Sequence, residues 1–405
     1  MAPIITIFDS FAHQTLSVGT LAGSGLTGIY DASAGTPTFD TTVLRTPYHL
    51  ASMKFVENGT TAQRVSRAIP AGNRLVVGSF YFRATAAPTV KSNILLLQGP
   101  TNPPQFFLNV TTGTLIAQTT NASAQQTAAN VCDSLWHRVD FRADVSTATF
   151  TMDWMVDGVP QTQVSAAGTS ADFTFWTPGS VTTTHTATFW MQDPVISYTT
   201  GDYPIGPHLC LAVYPLGEGT DALGTTNKIV DQGGGTTNLY TTVDEWNGGL
   251  PNTTDYVTYT STTLGDAASN FAEFTFQPLP GWVIGDLWDV QGIIAGQCST
   301  TGSGAVPVDT QVLTAHGGTL IDHIGNLVDY LATAAGLGYF RQKLARPSGG
   351  WTKSGFNGIV AQWGRATSTA TLPRLSTIML EVVVAEAYKQ TIRSNKEALH
   401  RSARW

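Results

Sequence analysis

Between Trp136 and Val164 the chain alternates apolar and polar residues through successive runs. Val139 and Phe141 mark the first run, and Phe150, Met152, Trp154 and Val156 mark the second. A period of two places every other side chain on one face, which suits an extended strand with a single buried face. Asp157-Gly158 follows. Both residues tolerate the positive φ that a two-residue type I′ turn requires. The segment therefore predicts a hairpin in a half-buried sheet. Such a sheet must bury its apolar face against a second layer.

The remainder of the chain repeats this theme. Leu75 to Phe82, Ile94 to Leu97, and a hairpin from Phe106 to Ala117 read as strands, as does Thr186 to Ser197. Two prolines and two glycines in Gly201 to Pro207 then interrupt, a composition that belongs in a linker. Strands resume at Leu209 to Tyr214, Asp255 to Thr260, Phe271 to Phe276 and Ser376 to Val384. Ile321, Ile324, Leu327, Val328 and Leu331 stand at helical spacing. Gly325-Asn326 interrupts them, so two strands are expected there. The reading is an all-β chain of two β-sandwich (jelly-roll) domains, 1–203 and 204–385. A basic helix or tail, 386–405, completes it.

Composition agrees with a β protein. About one residue in seven is threonine, a residue that fits strands. Charged residues are 12% of the chain, about half the usual share of roughly 25%. A free monomer normally keeps a surface with about 25–35% charged residues, so a subunit covered by neighbours is expected. The net charge of -7 argues against a basic nucleic-acid binder. No apolar run reaches the roughly 18 residues of a membrane helix, and Met1 to Asp9 has no signal-peptide pattern. Cys132, Cys210 and Cys298 match neither a disulfide framework nor a zinc spacing.

Two stretches resemble known families. Trp136-His137-Arg138-Val139, followed by Val156-Asp157-Gly158, resembles concanavalin A-like, laminin-G-type jelly rolls, in which the Trp anchors the core. Asp193-Pro194-Val195-Ile196-Ser197, then Gly201-Asp202-Tyr203-Pro204-Ile205-Gly206, is similar to minor tail proteins of tailed bacteriophages. Trp351-Thr352, Phe356-Asn357, Gly364 and Pro373 to Thr377 extend that likeness to about residues 75–385. It implies a laminin-G-like domain, a short junction and a second β-rich domain. The family places two adjacent Asp before the junction; here the first is Gln192, which removes one carboxylate of that pair.

The seven glutamates do not form the same-strand carboxylate spacing of jelly-roll glycoside hydrolases, which need two carboxyls about 5 Å apart for retention. The histidines show no H-E-x-x-H motif, and no loop carries three close carboxylates for calcium. No catalytic residue, metal or cofactor is therefore expected. Tryptophan faces can stack on sugars, and Trp176, Trp246 and Trp282 are the candidates, with Trp136 and Trp154 assigned to the core. The function expected is a structural virion subunit, a minor tail protein of the tail tip or baseplate, made in the host cytoplasm. Its lectin-like domain would attach to host-envelope glycan. Its partners would be other virion proteins and copies of itself, with a trimer as the family analogy. A capsid decoration protein and a polysaccharide-degrading enzyme are the alternatives.

Overall fold

A computed structural model describes residues 3–14, 29–101, 103–119, 124–218, 229–235, 238–244, 254–259, 271–284, 286–298, 307–316, 319–328, 338–364 and 373–386. Among these, strands dominate. Among the described residues the helical pieces are two 3-10 turns and the five-residue helix Lys353–Asn357, whose N-cap Thr352 side chain accepts from the Gly355 amide. All strand pairings in four sheets are antiparallel, and the chain is a β-sandwich protein.

The first sheet runs Val159–Pro160, Thr149–Val156, His137–Asp144, Leu75–Ala84, Thr188–Ser197, Ser52–Val56, Thr38–Asp40. The second runs Gln125–Gln126, Leu115–Gln118, Gln105–Leu108, Ser92–Gln98, Phe175–Pro178, Arg64–Ala68, Ala32–Ala34. The third centres on Pro373–Ala385, which pairs with His208–Val213, Val257–Tyr259 and Asp286–Cys298. The fourth holds Pro215–Glu218, Phe271–Phe276, Val360–Gly364, Pro307–His316 and Thr319–Val328.

Alternation within single strands explains the stacking. In Leu75–Ala84, Val76, Phe80, Phe82 and Ala84 join the core between the first and second sheets. Val77 points the other way and packs with Cys210, Trp288 and Val383 of the third sheet. Pro373–Ala385 does the same: Ile378, Leu380, Val382 and Val384 enter the core shared with the fourth sheet. Met379 and Val383 face the first sandwich. The layers therefore run second, first, third, fourth. The inner two are buried on both faces where they meet, which explains their long apolar runs.

The meeting face is polar as well as apolar. Arg45 donates to Asp193 through Nε (3.0 Å) and Nη2 (2.6 Å), and to Glu386 through Nη1 (2.7 Å). Its guanidinium lies 3.6 Å from the Tyr81 ring centroid. Asp193 also contacts His49 at 2.8 Å and accepts from the Cys210 amide at 2.8 Å. Arg45 and His49 hold its carboxyl far below the usual range, against the opposing effect of burial. Nearby, Glu381 accepts from Ser10 and Gln291. Desolvation and the Asp9 charge raise its proton affinity. These groups come from both sandwiches. Buried charges are tolerated only when paired in this way.

The Asp157-Gly158 turn has φ of 52° and 82°, and it joins Thr149–Val156 to Val159–Pro160. Two expectations need correction. Trp136 is only half-buried, while Val139 and Phe141 fill the core beneath. Trp136 falls on the opposite phase of the strand from Val139, Phe141 and Ala143, which are the inward-facing residues. The segment expected as two strands is one, Thr319–Val328, continuous through Gly325-Asn326 and paired with Pro307–His316. Cross-strand pairing there overrides helical spacing. Leu331 and the basic segment 387–405 lie outside the described residues.

Candidate functional site

The three tryptophans proposed from sequence do not converge. Trp176 is 1% exposed and packs inside the first sandwich. It sits opposite Leu97 and Arg67 in the register, on the inward phase of its strand, so neither ring face can meet a sugar. Trp282 is half-buried on the second sandwich, its ring 4.8 Å from that of Tyr48. Trp246 lies outside the described residues. Trp154 is core, and its indole donates to the Thr162 carbonyl.

A different surface assembles from the other phase of the second sheet. Register places Asn93, Phe107, Ile116 and Gln126 in one cross-strand row. Leu96, Gln105, Gln118 and Thr177 form the next. The first sheet covers the inner face, where Phe106, Leu108, Leu115 and Trp176 lie. On the outer face Phe107, Ile116 and Leu96 remain 6–8% exposed, framed by half-buried Gln105, Gln118 and Lys91. Apolar patches ringed by neutral amides are what a strand produces when its outward residues are Gln and Asn rather than charges.

The hydrogen bonds within this face consume acceptors and leave donors. Asn93 Nδ2 donates to Gln105 Oε1 at 3.0 Å. Lys91 Nζ donates to Gln118 Oε1 and sits 4.2 Å from the Phe107 ring centroid. Neither Gln105 Nε2 nor Gln118 Nε2 donates to another described residue. Asn93 is 2% exposed, and its Oδ1 has no protein partner among the described residues. A buried carbonyl oxygen of this kind normally finds a donor.

Glu57 and His185 close one end. His185 Nδ1 accepts from the Asn93 amide at 3.1 Å and from Ser180 Oγ at 2.5 Å, so the ring proton is on Nε2, which faces Thr182 Oγ1 at 3.1 Å. Burial, aided by the Lys91 charge, lowers the proton affinity of this imidazole. Glu57 Oε2 stands 3.9 Å from His185 Nδ1. Glu57 is 3% exposed, and burial pushes its carboxyl up to about 8. Both groups are thus neutral near pH 7. Perturbed ionisations of this kind gather at functional sites. Sequence reading passed over this surface because Asn93, Gln105 and Gln118 form no motif; the signal was the polar phase of the strands flanking Phe107.

No protein-family model and no curated protein sequence matches the chain. Among solved structures, domains LG4-5 of the mouse laminin alpha1 chain superpose with a TM-score of 0.29 and 11% identity, over 84% of this chain and 83% of that one. A botulinum neurotoxin type C structure gives 0.32 and 10%, over 93% and 94%. An engineered GH43 glycoside hydrolase gives 0.29 and 12%, over 45% of this chain and 42% of that one. The present chain thus spans less than half the length of that hydrolase.

Proposed function

We propose that the chain is a glycan-binding β-sandwich protein that engages saccharide on the outer face of its second sheet. The observation that carries this reading is the set of unused polar groups around Phe107. Half-buried Gln105 and Gln118 keep amide donors. Sugars present alternating hydroxyl donors and acceptors over an apolar ring, and an amide pair beside an aromatic residue matches both. The face carries neutral amides, so the low overall charge of the chain fits the same reading.

At a finer level, we infer a structural virion subunit, a minor tail protein of the tail tip, with the capsid as the alternative location. The support is the junction resemblance. The segment from Asp193 to Gly206 that carries it is the segment that anchors one sandwich to the other: His208 Nε2 meets the Asp193 carbonyl at 2.7 Å, and the Gly206 amide donates to Asp140 at 3.0 Å. The two levels are tested separately. On a glycan array, Gln105→Ala with Gln118→Ala should lower saccharide binding at least tenfold while Trp282→Ala leaves it unchanged. The reverse pattern refutes the surface named here. Immunogold labelling of phage particles should place the chain at the tail tip. Label on the head would make it a decoration protein, and unlabelled particles would end the virion reading.

A further inference from the structure

We propose that the ligand of this face is an acidic saccharide, one bearing carboxylate or sulfate, and that Lys91 selects it. This rests on the glycan-binding reading above and names its ligand class. The argument starts from the balance of hydrogen-bonding groups. The two acceptor oxygens that could neutralise the row, Gln105 Oε1 and Gln118 Oε1, are already taken by Asn93 and Lys91. What the row still offers is donors, namely the two amide nitrogens and the rest of the Lys91 ammonium, which has three N–H groups.

The charge is unbalanced in the same direction. Among the described residues, Lys91 makes no ion pair with a carboxylate. Its ammonium lies 4.2 Å from the Phe107 ring centroid and is held there by its bond to Gln118. Glu57, the carboxyl beyond His185, is held protonated by burial and brings no negative charge near pH 7. His185 is neutral with its proton directed to Thr182, so it neither repels nor replaces the ammonium. A half-buried cation beside two unspent amide donors favours an anionic oxygen over a hydroxyl. Bonds to an ionised partner are roughly twice as strong as neutral ones.

The test compares matched polymers that differ only in charge. The full chain is assayed against polygalacturonate, alginate, polysialic acid and a sulfated galactan. Each is paired with its carboxyl-reduced or desulfated form. Binding should be at least tenfold tighter to the charged member of a pair and should weaken steeply with salt. Lys91→Met removes the ammonium and should erase that preference, so that the two members of each pair bind alike. Lys91→Arg should restore most of it, and a thermal melt confirms that each variant is folded. The carboxylate and sulfate arms show which anion is used. Equal affinity for both members overturns the acidic class but leaves glycan binding intact. A charge preference that survives Lys91→Met overturns the role of Lys91. No binding to any member overturns both this inference and the glycan reading beneath it.

Discussion

At the scale of single residues, Glu57 makes the sharpest prediction. Its carboxyl titrates near 8 in the fold, against an ordinary value of 4.5. Below 4.5 the group is protonated whether the chain is folded or not, and it costs nothing. Between 4.5 and 8 the unfolded chain ionises while the fold does not, so stability falls as pH rises, by about 1.4 kcal/mol per unit. Above 8 the penalty is constant. Glu57→Gln removes this one titration, so urea midpoints of the variant should decline less from pH 5 to 8 than those of the native chain. At pH 7 the variant should gain up to about 3 kcal/mol. Identical slopes for the native chain and the variant would show that Glu57 is ionised in the fold.

Strands and turns bear on the joint between the sandwiches. Asp193 sits at a register shift in Thr188–Ser197, with φ of 48°, and this irregularity turns its carboxylate toward Arg45 and His49. Asp193→Ala leaves the Arg45 guanidinium buried with Glu386 as its remaining carboxylate. Removing one partner of a buried pair costs about 3–5 kcal/mol, and chemical denaturation should show a loss of that size. Asp153→Ala, which breaks a partly exposed pair with Arg142, should cost well under 1 kcal/mol. The same strands show what could be read in advance. Alternation around Phe141 and Trp154, with Asp157-Gly158 behind it, sufficed for the hairpin because local pattern and turn chemistry agree there. The bulge at Asp193 was not legible, since its partners Arg45 and His49 are remote in the chain. Nor was the amide face: Trp176 is a sugar-stacking candidate on sequence until register assigns it to the inward phase.

For the molecule as a whole, the stacking order sets the cooperativity. Val77, Val195, Cys210 and Val383 form one apolar cluster drawn from both sandwiches. Arg45, Asp193 and Glu386 bind across the same boundary. Neither sandwich can unfold alone without exposing that cluster and stranding a buried charge. Calorimetry should therefore record a single transition, with the calorimetric and van't Hoff enthalpies equal. Two separated transitions would show that the joint adds little. Asp193→Ala should shift the whole transition or split it, and either result measures the coupling.

The strand Pro373–Ala385 gives the joint a history as well as a strength. It is the centre of the third sheet and the source of Met379, Glu381 and Val383, yet the ribosome makes it after nearly every strand it supports. The first sandwich can close as soon as Thr188–Ser197 emerges, but the outward face of its first sheet must wait. Throughout that interval Val77, Val195 and the Arg45–Asp193 pair stand open to solvent and to neighbouring nascent chains. Synthesis on crowded polysomes is thus the moment of greatest risk for this protein, and truncation before residue 373 should yield aggregates rather than a soluble half.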